Sequence, residues 1–322
     1  MPRVCSRAPM CPRIPHPHGT YSIVAFDPDT GELGAAVQSH WFSVGSLCTW
    51  ARPGTGAVAT QSVVEPAHGP RALDRLERGE DAAAALAGVL RADPLAAVRQ
   101  VGVVGATGSV GIHTGADCIA EAGHVAGEHW ACQANMMARA TVPDAMSAAF
   151  AAAGGDLAER LMIALEGAEA EGGDVRGRQS AALLVVPGEG EPWRVRADLR
   201  VEDHADPVGE LRRLLRLQRA YQLAGAADEV AAQGLAEEAA RGYVRASALA
   251  PECDELLFWA GLAIAQQGDV AAGADSVRRA AQVHPGWLTL LDRLSPEFAP
   301  AGAAVRETLR TTPTARPASC PD

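Results

Sequence analysis

Between residues 20 and 206 apolar positions come in short runs broken by turn residues, and after Asp206-Pro207 they take on helical spacing. Tyr21-Ser22-Ile23-Val24-Ala25-Phe26 is strand-like and Asp27-Pro28-Asp29-Thr30-Gly31 has turn chemistry. With Glu32 to Ser39 as a second strand, these predict a hairpin. Gly45–Trp50 and Gly56–Ser62 are further strand candidates, turning at Arg52-Pro53-Gly54-Thr55. Arg71–Arg91 reads as helical with an interruption at Gly79, and Val98–Val104 with Ser109–Thr114 reads as another hairpin. Ala/Leu-rich helices are expected over Pro143–Ala152 and Asp156–Ala170, divided by Gly154-Gly155. Strands over Gln179–Val186 and Trp193–Leu199 close the region. Hairpins in place of βαβ crossovers predict an α+β fold of antiparallel sheets carrying helices.

The helical region contains an internal repeat. Pro251 and Pro285 lie 34 residues apart, as do Ala239 and Gly273, Tyr243 and Val277, and Ala246 and Ala280. This is the period of a tetratricopeptide repeat. Leu257, Ala260, Gly261 and Ile264 fit its first helix, and Val277, Ala280 and Pro285 its second. Gly273 stands where the pattern usually has Ala, which weakens the helix. Trp287–Leu294 would cap the stack. An ordinary Ala-rich bundle competes, but the matched period favours repeats. The expected organisation is a leader over residues 1–19, a mixed domain over 20–206, an all-α tetratricopeptide-like domain over 207–300 and a mostly disordered tail over 301–322.

Composition narrows the function classes. A chain of 322 residues, 48% hydrophobic, suits two globular domains. No run approaches the roughly 18 apolar residues of a membrane span, and the leader lacks the apolar core of a secretory signal. A cytoplasmic, reducing location is therefore expected. The seven cysteines are scattered, odd in number and free of any C-x-x-C pair, which agrees. A net charge of −11 argues against nucleic-acid binding. All 28 basic residues are Arg, so no mechanism here uses a lysine amine.

Several motifs lose to simpler readings. Val101-Gly102-Val103-Val104-Gly105-Ala106-Thr107-Gly108-Ser109-Val110-Gly111 imitates a dinucleotide fingerprint, but no helix follows to receive a pyrophosphate. It reads as a hairpin turning at Ala106-Thr107-Gly108. Cys118, His124, His129 and Cys132 fit no usual zinc spacing and read as strand residues. No G-x-S-x-G elbow and no phosphate-binding loop is present. Neither a cofactor nor a metal is expected. Thr20 remains. If the chain were cut after Gly19, Thr20 would carry a hydroxyl and a free α-amine on one residue. Such an amine, with a reference pKa of roughly 7.7–8.0, can serve as base for its own hydroxyl. Thr is also simply a good strand starter.

Several blocks in order resemble a bacterial family known as domain of unknown function 1028. They are Thr20–Ala25, Gly31–Ser39, Trp50–Gln61, His68–Leu73, Cys132–Met137, Gly172–Leu183 and Asp198–Pro207, spanning about Thr20 to Leu217. The resemblance implies the four-layer αββα sandwich of the N-terminal-nucleophile (Ntn) hydrolases, with Thr20 as nucleophile. Family members commonly begin Met-Thr, whereas nineteen residues precede Thr20 here. A free amine then requires a later start codon or removal of residues 1–19 as a propeptide. Proteasome-like members of the superfamily also keep a nearby lysine. Arg52, 32 residues after Thr20, lies at a comparable distance along the chain, and either supplies positive charge or anchors a turn.

Other polar residues have two readings each. Gln133 and Asn135 would present amide donors to an oxyanion, or serve as structural residues on one strand face. Arg176, Arg178, Gln179 and Ser180 would clamp a substrate carboxylate, or hold a capped loop by salt bridges. Gln61 and Glu65 would line the same cleft. The leading expectation is an Ntn-type amidohydrolase of a small amide or peptide-like substrate, with Ser22 as the fallback nucleophile on the same strand face. The alternative is an inactive sandwich used as a binding module, with the repeats docking a protein partner. The repeats would equally cover the sandwich or build a homodimer.

Overall fold

In the computed structural model, which describes residues 19–311, every pairing between named strands is antiparallel. The expected leader up to residue 18 and the tail from 312 lie outside the described residues. Thr20–Phe26 (β1) and Leu33–Ser39 (β2) form the predicted hairpin. Asp27 closes its turn by accepting from the Asp29 N–H and the Thr30 hydroxyl.

Gly45–Cys48 (α1) is one helical turn where the alternation predicts strand, and pairing begins only at Thr49–Arg52 (β3). Side-chain anchors decide this: the Val44 N–H donates to Ser180 Oγ at 3.1 Å, and Cys48 packs with Val37, Val44 and Ala182. Gly56–Ser62 (β4) leads to His68–Glu77 (α2) and Ala82–Arg91 (α3), with the break at Gly79 and Asp81 capping α3 through the Ala84 N–H at 2.7 Å. Arg99–Gly105 (β5) and Val110–Thr114 (β6) make the glycine-rich run a hairpin.

Gly123–Ala126 (β7) and Trp130–Asn135 (β8) form a further hairpin, followed by Val142–Ala152 (α4) and Leu157–Ala170 (α5). Ser180–Val186 (β9) pairs with Ala197–Val201 (β10). The last strand starts later than the Trp193 pattern suggests, because Trp193 (77% exposed) and Val195 face solvent and precede the paired segment.

Two sheets result, β10-β9-β2-β1-β8-β7 and β3-β4-β5-β6. Val24, Leu33, Ala35, Ala57, Ala59, Val104, Ala131 and Leu184 form a core between them. On the outer face of the smaller sheet, Ala72, Leu73, Ala82, Leu86 and Val89 of α2 and α3 cover Val58, Val101 and Val103. On the larger sheet α5 packs over β1, β2 and β9, and α4 over β7 and β8. The layer order is helices, sheet, sheet, helices.

The chain divides into two compact units after Arg213, inside Pro207–Ala232 (α6). The second unit continues with Ala236–Leu249 (α7), Asp254–Gln266 (α8), Val270–Val283 (α9), Gly286–Arg293 (α10) and Gly302–Thr311 (α11). Residues 302–311 fall in the expected tail, but Val305 is fully buried against the cluster of Leu291, Ala299 and Val277, and this contact holds the helix. The weak residue of the repeat pattern has a packing reason. A Cβ on Gly273 would lie 2.5 Å from the Gly261 carbonyl, and one on Gly261 would lie 2.7 Å from that of Gly273. The two backbones of α8 and α9 approach too closely for a methyl group. Among the described residues no helix is long and apolar enough to cross a membrane.

Candidate active site

At one end of the inter-sheet layer the core changes from aliphatic to amide. The register of β1 sets Ser39 opposite Thr20 on one side and Asn135 on the other, with Gln133 beside Ser22. The facing sheet contributes Gln61 and Gln100, themselves cross-strand partners. All seven side chains are buried. Gln61 Nε2 donates to Gln100 Oε1 (2.7 Å) and to the Thr20 carbonyl (3.0 Å), while its Oε1 accepts from the Ser22 hydroxyl at 2.6 Å. Asn135 Nδ2 donates to Gln100 Oε1 at 2.9 Å and to the Thr20 carbonyl at 3.4 Å. Gln133 Nε2 spans the sheets to the Ala59 carbonyl (3.0 Å) and reaches Ser22 Oγ at 3.2 Å. Gln100 Nε2 donates to Thr114 Oγ1 at 2.8 Å, and Thr114 pairs with His124 Nδ1 at 2.8 Å. Burial lowers the pKa of His124.

The peptide bond before Thr20 is gripped from both sides. The Gly19 carbonyl accepts from the Ser39 hydroxyl and, at 2.8 Å, from Arg176 Nη2. Thr20 Oγ1 donates to Ser39 Oγ at 3.0 Å. Arg176 is oriented by Asp174, which takes bonds from its Nη2 (2.8 Å), Nε (3.1 Å) and backbone N–H (2.9 Å). Asp174 has no exposed side-chain surface. A hydroxyl and a guanidinium thus converge on one carbonyl oxygen, an arrangement that polarises the carbonyl.

Two departures from ordinary backbone and polar satisfaction cluster here. Ser62 (φ +69°) follows Gln61, and Met136 (φ +59°) follows Asn135, both in the left-handed region that non-glycine residues seldom adopt. Gln133 Oε1 and Asn135 Oδ1 are buried with no hydrogen-bond partner, as are both amide atoms of Gln38 on the opposite face of the sheet. On that face the Tyr21 hydroxyl donates to Glu169, and burial, then the Glu169 carboxylate, raises its pKa.

The structure gathers Thr20, Ser22, Gln61, Gln133, Asn135 and Arg176, and separates the rest. Gln133 and Asn135 hold Ser22 and the Thr20 carbonyl; the donors at the Gly19 carbonyl are instead Ser39 and Arg176. Arg52 sits beside Gly56, at the far end of β4 from Gln61, and pairs with Asp74 (2.9 Å) and Glu77 (2.8 Å) of α2. Its spacing from Thr20 along the chain does not bring it to the threonine, and it serves as an anchor. Glu65 folds back on its own loop, accepting from the Ala67 N–H at 3.1 Å. Arg178 joins Glu169 and Asp206, Gln179 donates to Asp203, and Ser180 donates to the Trp41 carbonyl, the capped-loop alternative for these three.

Ser39, Gln100 and Asp174 were not singled out from the sequence. The hairpin register carried the signal for Ser39, since a turn at Asp27–Gly31 sets it across from Thr20. Burial pushes the Cys48 thiol up to about 12 and the Cys132 thiol higher still, so neither offers a thiolate. Among the described residues no cluster of His, Cys, Asp and Glu is placed to hold a metal.

Two antiparallel sheets face to face, helices outside them and a buried polar seam within define a layered α/β protein. The chain belongs to DUF1028, a family of unknown function, whose model matches residues 20–211. It is similar to the crystal structure of a Silicibacter pomeroyi protein of the same family, with 30% identity and a TM-score of 0.57 over 62% of this chain and 85% of that one. No curated protein matches the chain.

Proposed function

We propose that the first unit is an Ntn-type amidohydrolase of small amide or peptide-like substrates, with Thr20 released as nucleophile by cleavage of the Gly19–Thr20 bond. The observation that carries this reading is the Gly19 carbonyl held by Arg176 Nη2 at 2.8 Å and by Ser39, the same Ser39 that accepts the Thr20 hydroxyl at 3.0 Å. A carbonyl so held is activated toward the adjacent hydroxyl.

In self-cleavage, Thr20 Oγ1 bonds to the Gly19 carbonyl carbon while its proton passes through Ser39 to the carbonyl oxygen. The C–N bond then breaks, the nitrogen takes a proton, and water opens the resulting ester to leave Gly19 as a carboxylate and Thr20 with a free amine. In turnover that amine takes the hydroxyl proton and delivers it to the leaving amine, so no lysine is needed. The neighbouring amides of Gln61 and Asn135 are neutral and fix the nucleophile's backbone without competing for its proton. The layer order of two sheets between helices is that of the Ntn sandwich and supports the same reading.

In the second unit α7 and α9 each span 14 residues, and α9 begins and ends 34 residues after α7, which supports tetratricopeptide-like pairing.

Intact-mass analysis of purified protein tests the nucleophile. A species beginning at Thr20, lost in Thr20→Ala, is the expected result. A uniformly uncut chain that retains residues 1–19 and hydrolyses no amide would favour the binding-module alternative instead.

A further inference from the structure

The acyl position beside Thr20 is walled on one side by the Asp174–Arg176 pair, and the geometry points to N-acylglycyl amides as the substrates: acyl groups with no side chain on the carbon next to the carbonyl. This inference rests on the hydrolase reading above.

The ester that a substrate forms on Thr20 Oγ1 is the same linkage that self-cleavage forms with Gly19. Its α-carbon therefore arrives where the Gly19 α-carbon stands, and its carbonyl oxygen meets the same two donors. A Cβ at that place would lie 2.7 Å from Arg176 Nη2 and 2.8 Å from Asp174 Oδ2, both well inside van der Waals contact.

The end of an arginine side chain is ordinarily easy to move. This one is pinned by a 2.8 Å ion pair to Asp174, and Asp174 is fully buried and also takes the His40 N–H at 3.4 Å. Displacing Arg176 breaks charge-assisted hydrogen bonds and withdraws the donor that polarises the carbonyl. A side chain is thus penalised twice, by overlap and by lost stabilisation of the developing oxyanion. Gly19 is itself N-acylated in the chain, so its chemical equivalent in a substrate is an N-acylated glycine.

In the reaction Thr20 Oγ1 bonds to the acyl carbon, the C–N bond breaks, and the leaving amine takes the proton carried by the Thr20 amine. Water then adds to the ester, giving an N-acylglycine and the restored hydroxyl.

The test uses the self-processed protein with acetylglycyl-, acetylalanyl- and acetylleucyl-7-amido-4-methylcoumarin. The glycyl compound should exceed the alanyl one by at least about tenfold in kcat/KM, with the leucyl compound not turned over. Equal glycyl and alanyl turnover would overturn the inference and leave the hydrolase reading standing. No turnover of any of the three, in protein shown by mass to begin at Thr20, would remove both. Independently, Gly19→Ala in the full chain, its folding checked by circular dichroism, should slow the appearance of the Thr20 terminus by about the same factor. Processing at the wild-type rate would count against the wall.

Discussion

The two ends of the layer between the sheets are built from the same five strands, β1, β2, β4, β5 and β8, yet follow opposite rules. Towards the C-terminal half of β1, Val24 belongs to a cluster with Ala35, Ala59, Ala131 and Leu184, whose buried members are all aliphatic. Towards its N-terminus, Thr20 and Ser22 meet Ser39, Gln61, Gln100, Gln133 and Asn135, a buried set of hydroxyls and amides. An aliphatic core is stabilised by burial itself, without regard to direction. An amide core is stabilised only while each group keeps its partner, and a lost partner costs about 1–3 kcal/mol. Here some acceptors already lack one, and two strand ends are held in left-handed backbone. A protein that needed only a core could have continued the aliphatic end. Strain and unmet hydrogen bonds gathered around one threonine fit the proposed active site at the polar end.

The strongest way to break this comparison is to truncate one residue at each end. Thr20→Ala should abolish self-cleavage and amide hydrolysis while changing stability by about 1 kcal/mol or less, since it removes one hydroxyl with a nearby neutral partner. Leu33→Ala, at a fully buried aliphatic position, should cost about 2–5 kcal/mol by chemical denaturation yet leave cleavage intact in the folded protein. If both variants lost stability equally and neither lost cleavage, the division between the ends would be meaningless.

Gln100→Leu comes next in size. It removes the acceptor shared by Gln61 and Asn135, each left with its bond to the Thr20 carbonyl, and the donor to the Ala134 carbonyl at 2.9 Å. A loss of about 3 kcal/mol is expected, together with slower self-cleavage, because both amides that fix the Thr20 carbonyl lose their orientation. Urea unfolding and the time course of the Thr20 terminus report the two effects separately. A cleavage rate unchanged from wild type would show that the network serves the fold alone.

Much of the apolar end was legible in the sequence, and little of the polar end. The β1–β2 hairpin and the glycine-rich β5–β6 hairpin follow from local turn chemistry, which acts over a few residues. β7 was harder: only four residues long, it pairs on one side alone, so its apolar pattern is slight. Thr20 stands out for its chemistry and the hairpin register points to Ser39, but Gln100 comes into place through the stacking of the second sheet, which no local pattern encodes. Gly273 looked like a flaw in a repeat because helix propensity is local, whereas the approach of α8 to α9 that requires it is not. Arg52 shows the limit of spacing alone: 32 residues after Thr20 in the chain, it lies beside Gly56, at the end of β4 away from Gln61.

A smaller effect sharpens the comparison through pH. The amides of the seam do not titrate, so acid sensitivity in this region belongs to the ionisable groups beside it, His124 on Thr114 and a cluster around Asp93. Asp93 takes Arg99 Nε at 2.7 Å and His68 Nε2 at 3.1 Å. Burial lowers the pKa of His68, outweighing the pull of Asp93. Burial alone would raise that of Asp93, but the hydrogen bonds from Arg99 and the Leu95 N–H hold it below the usual carboxylate range. Both shifts act in one direction. His68 is neutral when folded and protonates more readily when unfolded, so its contribution is present above about pH 6.5 and is lost as pH falls. The Asp93 contribution is present above about pH 3.9 and is lost on further acidification. The melting temperature should therefore drop between about pH 7 and 5, and His68→Gln should flatten that segment of the profile. An unchanged slope in this variant would place the titrating group elsewhere.

The smallest expected effect concerns Arg52, and it separates position in the chain from position in the fold. Its guanidinium bridges Asp74 and Glu77, whose side chains are about half exposed, beside Gly56 at the end of β4 away from Gln61. Exposed ion pairs of this kind are worth about 0–1 kcal/mol and are screened by salt. Arg52→Ala should lower stability by no more than that, less still at high ionic strength, and should leave unchanged both the rate of self-cleavage and the pH profile of amide turnover by the processed protein. A charge that tuned the Thr20 amine would instead shift the alkaline or neutral limb of that profile, whatever it did to stability. The pH profile of Arg52→Ala thus decides whether the aliphatic and helical side of the smaller sheet contributes anything to the chemistry at its amide end.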